Sequence, residues 1–369
     1  MALRTQLCDV LGIEVPIILA GMGGASNPRL AAAVSNAGGL GILGAAGCGP
    51  DQLRKWISEV RSRTDKPFGV DTLLPASVRR ISGAPGSGPS PQDQLPRHEK
   101  FAEQFMEREG LVATPVAGTS VAAFSKDFFE SQMEVVIEER VPVYAAGLGS
   151  PGPWMDRLHE NGTAVMAVVG AVRHARRVSE DGVDVIVAQG HDAGGHNSPI
   201  GTMALVPQVV DAAGDIPVVA AGGIMDGRGV AAALMLGAVG VWLGTVFLAT
   251  EEAGILPHQK QALVDSDEEN TTVSRSVTGK PARLIRNKWA QAYTESGLDP
   301  LPMPFQGRIS GPVLAAASAA GRADISPGFA GQGLGMIERI RPAAEVLAEI
   351  AADAQRVLES AERLIPQER

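Results

Sequence analysis

Asp184-Val-Ile-Val-Ala-Gln-Gly-His-Asp-Ala-Gly-Gly-His196 joins an apolar run to a turn that holds two histidines, an acid and a glycine pair. Val183 to Ala188 is β-branched and mostly apolar and stops at Gly190, the pattern of a strand buried on both faces of a parallel sheet. In barrels and open α/β sheets, ligands meet the loops at the carboxyl ends of the strands. His191, Asp192 and His196 therefore belong at the mouth of such a fold. Gly194 and Gly195 lack Cβ atoms, so the backbone can bend sharply or approach a flat ligand just before His196.

The same unit recurs on both sides of this stretch. Val15 to Ala20 is an apolar run closed by Gly21-Met-Gly-Gly24, and Ser26-Asn-Pro28 supplies a cap and a first-turn proline for a helix through Asn36. Gly38 to Gly44 reads as a strand. Pro50 to Arg63 reads as an amphipathic helix with Leu53, Trp56, Ile57 and Val60 on one face. Phe68 to Leu74 is a third strand, and β-α-β-α-β requires a parallel sheet. Further on, helices at Phe124 to Glu139, Pro153 to Asn161, Ala171 to Asp181, Pro207 to Ala213 and Gly227 to Leu236 alternate with strands. Those strands are Pro142 to Ala146, Thr163 to Val169, Val183 to Ala188, Ile216 to Ala221 and Gly240 to Leu243. Eight strands are most economically closed as a TIM (β/α)8 barrel.

Two segments break the rhythm. Ser82 to Pro96 is rich in Pro, Gly and Ser and leads into a charged helix, Arg97 to Arg108; an active-site lid and a plain surface loop are equally compatible with it. After Thr250 the alternation stops until the helix Pro342 to Leu364. Between them lie a helix near His258 to Val264, a β-prone run Thr271 to Val277, and Arg283 to Tyr293, rich in bases and aromatics. The expected organisation is a barrel of residues 1–250 and 328–369 with a small α+β cap, residues 251–327, inserted after the last strand.

Composition narrows the function. The 369 residues carry a net charge of -9 and a pI near 5.3, which disfavours nucleic acid or an anionic membrane as partner. A small-molecule substrate is the expectation. Cys8 and Cys48 are far apart and lack metal-ligand spacing, so neither a disulfide framework nor a metal site is expected. No signal peptide or membrane-spanning stretch is apparent, and a cytoplasmic location fits. A homodimer is left open. Cys8, Cys48 and His258 show no partners in sequence and receive no role.

Two glycine turns close neighbouring strands: Ala220-Ala-Gly-Gly-Ile224 and Trp242-Leu-Gly-Thr245. Loops after the last two strands of a (β/α)8 barrel often bind phosphate through free N–H groups, so Gly222, Gly223, Gly244 and Thr245 form a candidate phosphate cradle. The plainer alternative is that these glycines only permit tight turns. No Gly-x-Gly-x-x-Gly or Walker sequence points to a Rossmann-bound dinucleotide or a P-loop nucleotide.

Ala20-Gly-Met-Gly-Gly24, Gly190-His-Asp-Ala-Gly-Gly-His196, Ala221-Gly-Gly-Ile-Met-Asp-Gly227 and Leu243-Gly-Thr245, in this order along nearly the whole chain, resemble the nitronate monooxygenase family, formerly called 2-nitropropane dioxygenases. That family is similar to the flavin-dependent enoyl-acyl carrier protein reductase II enzymes. The resemblance implies an FMN-binding barrel in which His196 faces the isoalloxazine ring and acts in proton transfer, a task suited to an imidazole. It implies backbone contacts to the ring from Gly21, Met22 and Gly23, polar contacts to its pyrimidine edge from Asp71 and Gln189, and a further contact from Gln332 in Phe329-Ala-Gly-Gln-Gly333. His191 is expected in a supporting role.

Two departures stand out. The family usually has Glu where Asp192 stands, and Asn where Asp71 stands. An ionised Asp71 beside the pyrimidine ring would disfavour the anionic reduced flavin. The expected activity is an FMN-dependent nitronate monooxygenase oxidising alkyl nitronates with O2. An FMN-dependent NAD(P)H reductase of an enoyl thioester or acyl-coenzyme A is the alternative, and a flavin-binding barrel without turnover is the reading from outside enzymology. Arg283, Arg286, Asn287 and Lys288 are either a solvated face of the cap or a clamp for coenzyme A.

Overall fold

Parallel strands buried on both faces carry apolar side chains in both directions, and here that gives two concentric layers. The computed structural model describes residues 3–74, 90–113 and 125–361. Its barrel strands are β1 (Ile17–Leu19), β2 (Gly41–Gly44), β3 (Phe68–Leu74), β4 (Val143–Gly149), β5 (Ala164–Val169), β6 (Val185–Gln189), β8 (Val218–Ala221) and β9 (Gly240–Leu243). They follow one another in the order β1-β9-β8-β6-β5-β4-β3-β2. All are parallel, and a parallel bridge between Ile18 and Leu40 closes the ring. The expected TIM barrel is therefore formed.

Alternate residues separate the layers. Ile18, Ile42, Val143, Ala145, Val185, Val187 and Val219 fill the interior. Ile17, Leu19, Leu43, Tyr144, Val165, Ile186 and Val241 pack outward against helices. The interior is stoppered by a helix that the periodicity did not reveal, Gln6–Leu11, whose Leu7, Cys8 and Leu11 join the inner cluster. A Cβ on Gly240 would come within 2.3 Å of Leu7 Cδ2, so that strand needs a glycine for the stopper to seat.

Several helix boundaries differ from expectation, mostly where proline marked a start. Helix Thr202–Ala213 begins before Pro207, which lies inside it. Helix Pro91–Arg108 begins six residues before Arg97 and carries Pro96 within. Its start is set by Ser90, which accepts from the Asp93 N–H while Asp93 accepts from the Ser90 N–H, a capping box stronger than the proline signal. The stretch Ser82 to Pro96 is thus partly helical; its residues 82–89 lie outside the described residues. Pro153 to Asn161 divides into a 3-10 turn, Gly152–Trp154, and helix Met155–Glu160. The helix expected from Phe124 spans Lys126–Glu138, capped by Ser125. The last helix is Ala343–Ala361.

Above the strand ends lies an antiparallel three-stranded sheet of β10 (Thr271–Ser274), β11 (Ala282–Ile285) and the two-residue β7 (Gly195–His196). A second core supports it. Phe105 of helix Pro91–Arg108 packs edge-on against Trp289 at 5.1 Å between ring centroids. Tyr293, Ile309 and Val313 complete the cluster. Trp289 is fully buried and donates through Nε1 to Ser276 O at 3.1 Å. The segment between β3 and β4 thus contributes to the same core as the residues following β9. Among the described residues no helix is long and apolar enough to cross a membrane, and none form a cluster able to hold a metal ion.

Candidate active site

A cavity of about 630 Å³ opens at the carboxyl ends of the barrel strands. Gly21, Met22, Gly23, Asp71, Gln189, Gly194, Gly195, His196, Gly222, Gly223, Gly244 and Thr245 all line it. Gln332 does not: its side chain is exposed, and its N–H donates to Asp192 O at 2.9 Å, while the flanking Gly331 and Gly333 face the cavity. Asn287 also reaches this cavity from the cap.

The floor is built of small residues because a carboxyl group occupies the space beside them. A Cβ on Gly21 would lie 2.3 Å from Asp71 Oδ2, and one on Gly147 would lie 2.4 Å from Asp71 Oδ1. Asp71, on β3, is buried. Burial pushes its pKa well above the usual carboxylate range, against the opposing effect of the Gly147 N–H that donates to it. A neutral Asp71 offers an O–H donor and a carbonyl acceptor, and so can both donate and accept as the amide usual at this position does.

A stability prediction follows. The unfolded chain releases this proton near pH 3.9 and the folded chain much later, so Asp71 costs stability increasingly as pH rises above about 4. Asp71→Asn should unfold at a higher temperature than the parent at pH 7.5, and the gap should close toward pH 4. Thermal melts across that range check it, and a variant that melts lower at pH 7.5 would mean that the carboxyl is ionised and stabilised by a partner.

The loop after β6 is held from several sides. Asp192 Oδ2 accepts from the Thr202 N–H at 2.7 Å, starting the next helix. His191 Nδ1 bonds Ser198 O at 2.7 Å, and the residue does not line this cavity. Its carbonyl accepts from Arg283 Nε at 3.2 Å and Nη2 at 3.1 Å. Arg283 is buried and also donates to Thr271 Oγ1 at 3.1 Å. It is neither a solvated residue nor a ligand clamp; it ties the histidine loop to the cap sheet. Arg286 is exposed and donates through Nε to the backbone Glu269 O, whereas Lys288 pairs with Asp324 at 2.8 Å and so is not a free charge for a coenzyme.

Gln189 donates through Nε2 to His196 O at 2.6 Å, and β7 pairs with β11 so that His196 lies opposite Ala282. The imidazole Nε2 lies 2.9 Å from Thr278 Oγ1. That hydroxyl donates to Lys280 O at 3.3 Å, which makes it the acceptor for Nε2–H. Nδ1 is then the nitrogen with a lone pair, and it has no protein partner among the described residues. Burial, aided by the charge of Lys280, lowers the His196 pKa to about 4. Thr278 and Lys280 carried no sequence signal: they stand about eighty residues away in the chain, just past a β-prone run and without a motif.

At the opposite end, Gly222 (φ +103°) and Gly223 (φ +73°) turn the chain after β8. The N–H groups of Gly222, Gly223 and Gly244 meet no protein acceptor among the described residues. Free backbone donors on neighbouring turns can accommodate an anion. Thr245 Oγ1 accepts from the Gly331 N–H at 2.9 Å, drawing the segment after the cap over the cradle. The cavity therefore has an end lined by N–H groups without protein acceptors, a floor of small residues, a polar edge at Asp71 and Gln189, and a neutral imidazole on its wall.

Comparison with known proteins identifies the family and the fold. A family model described as nitronate monooxygenase matches residues 4–353. Rv1533 of Mycobacterium tuberculosis, which carries a provisional monooxygenase name, is 38% identical over 369 residues, covering 95% of this chain and 96% of its own. A nitroalkane oxidase from Streptomyces ansochromogenes superimposes with a TM-score of 0.82 at 33% identity, covering 97% of this chain and 99% of that one. FabK from Thermotoga maritima superimposes with a TM-score of 0.75 at 34% identity, covering 98% and 100%.

Proposed function

Because this chain belongs to the nitronate monooxygenase family, we propose that it is an FMN-dependent enzyme that oxidises alkyl nitronates with dioxygen, with His196 as its proton-transfer residue. The observation that carries this reading is the neutral His196 imidazole, held through Nε2 by Thr278 on the wall of a cavity that is also lined by three glycines whose N–H groups meet no protein acceptor among the described residues. The residues present fit FMN. The free N–H groups of Gly222, Gly223 and Gly244 suit its phosphate. Gly21, Met22, Gly23, Gly194 and Gly195 leave room for a planar ring, and a cavity of about 630 Å³ is of the right order for a ligand of this size. Neutral Asp71 and the Gln189 amide suit the pyrimidine edge.

Bound there, FMN supplies the electron transfer and the reaction with dioxygen. The chain's own part is positioning and proton control. An arriving nitronate brings a negative charge to a buried imidazole, which favours protonation at Nδ1. His196 takes up a proton from solvent at Nδ1 as the nitronate binds, donates that N–H as a hydrogen bond to the nitronate and returns the proton to solvent when the product leaves, while Thr278 keeps Nε2–H fixed and the ring oriented. The barrel floor and the cap sheet exclude bulk water around the site and so strengthen these contacts.

Anaerobic mixing tests the proposal. The flavin-loaded protein should bleach rapidly on addition of a nitronate without NAD(P)H. Bleaching by NAD(P)H, followed by reoxidation with an enoyl thioester, would replace it with the reductase reading that the likeness to FabK keeps in view. Neither reaction would leave a binding protein without turnover.

A further inference from the structure

Among the described residues that line the cavity, Asp71 is the only acid, His196 is the only other titratable side chain, and there is no Lys or Arg. The place of Asp71 on β3 leaves its carboxyl no other direction to face. Below it the barrel interior is filled by Ile42 and Val143, the neighbours of Gly69 on the adjoining strands. To either side stand Gly21 and Gly147, so close that a Cβ on either would come within 2.4 Å of one of its oxygens. Thr72, the next residue, points outward and meets the Tyr144 hydroxyl at 2.8 Å. The carboxyl is thus buried, fixed and aimed into the cavity, and the polar group that favours its charged form is the Gly147 N–H.

One backbone donor does not offset the burial of a carboxylate. A protonated carboxyl has a different need, an acceptor for its O–H, and the glycines and apolar side chains that enclose Asp71 present no side-chain acceptor. Its open side is the space that the FMN reading gives to the pyrimidine edge of the ring, which carries carbonyl acceptors. Covering an ionised Asp71 with the cofactor removes its last water and leaves a charge without a cation beside it. Covering a neutral one makes a hydrogen bond instead.

We propose that Asp71 enters the cofactor site as a carboxylic acid that donates its O–H to an acceptor on the flavin ring, so that FMN and a proton are taken up together. The inference rests on the FMN reading above. By linkage, bound flavin holds the Asp71 proton more tightly, so affinity is full at low pH and falls as pH rises through the pKa of the flavin-free protein. The other groups around Asp71 titrate outside that range. His196 has a pKa of about 4, burial pushes the Cys48 thiol on the loop after β2 up to about 11, and burial raises the Tyr144 phenol of β4. The turn at Gly21 and strand β2 carry no titratable side chain.

FMN titrated into flavin-stripped parent and Asp71→Asn, followed by flavin fluorescence from about pH 5 to about pH 9, tests this. The uncharged amide binds without a linked proton, and the FMN phosphate titrates alike in both. The ratio of parent to variant Kd should therefore rise with pH, by at least about 10-fold across the range and by no more than about 10-fold per pH unit, the limit for one proton. Calorimetry in buffers of different ionisation enthalpy should show the parent taking up more protons than the variant as FMN binds. A constant ratio, or equal proton uptake, overturns the proposal. A ratio that falls with pH overturns it as well, and assigns a carboxylate that accepts from a ring N–H. Should Asp71→Asn not fold, riboflavin, which has no phosphate to titrate, gives the parent's own pH dependence: weakening with pH supports the proposal, and pH-independent binding overturns it. No binding of FMN by the parent at any pH refutes the cofactor reading itself, an outcome distinct from binding that ignores pH.

Discussion

Replacing His196 by asparagine should lower turnover of a preformed nitronate about 10²- to 10⁴-fold, the usual worth of a positioned proton-transfer group. Flavin content should stay at the parent level, because the phosphate cradle and the ring floor are built from other residues. Asparagine can occupy the space and keep a hydrogen bond to Thr278, but it cannot take up a proton. The parent's own pH profile gives an independent check. With a folded pKa near 4, the imidazole of the free enzyme is neutral at pH 6, so proton uptake accompanies nitronate binding and His196 should contribute to kcat/KM a limb that falls as pH rises above about 4. His196→Asn should lose that limb. The same shift destabilises the fold as pH falls from about 6.5 toward 4, since the unfolded chain binds the proton first. Thr278→Val, which removes the hydroxyl and keeps the shape, separates ring presence from ring orientation. It should cost about 10-fold in kcat without loss of flavin. Full activity in His196→Asn would take the residue out of the mechanism.

Gly222→Ala should strip the protein of flavin. The residue sits at φ +103°, where an L side chain is strained, and an added Cβ would stand 2.8 Å from Thr202 Oγ1 and 3.1 Å from the Ala193 N. Relief requires the turn to move, which carries the free N–H groups of the cradle out of register. Strain of about 1–3 kcal/mol taken from binding corresponds to roughly 5- to 150-fold weaker FMN retention. Gly244→Ala is the contrast on the adjacent turn. Its φ is -108° and its Cβ would meet Met22 Sδ at an ordinary 3.4 Å, so it should retain most of its flavin. Flavin absorbance per protein after gel filtration, with far-ultraviolet circular dichroism as the folding control, measures both. Equal flavin content in the two variants would show that the last two turns do not hold the phosphate.

The barrel was legible in the chain because its determinants are local. Most strands are short apolar runs that stop at or beside a glycine, and the helices between them carry an apolar face, so periodicity placed all eight strands near their observed positions. The glycines of the cradle and floor were legible for the same reason: they follow directly on those strands. The capping box at Ser90 was also present in sequence, but prolines at 91 and 96 masked it. Helix Gln6–Leu11 is too short to show a period, and only its role as barrel stopper explains it.

What the tertiary structure alone decided is the chemical state of the residues so placed. Whether Asp71 is charged depends on its burial between Gly21 and Gly147, from two other strand ends. Which nitrogen of His196 is free depends on Thr278, and how basic it is depends on burial and on Lys280, both delivered by a sheet formed some eighty residues later. Gln332 turned outward while its glycine neighbours faced the cavity, a difference of one residue that no pattern encodes. Hydrophobic order repeats along the chain and can be read there. Protonation and tautomer are set by desolvation and by partners distant in sequence, and they exist only once the chain has closed on itself.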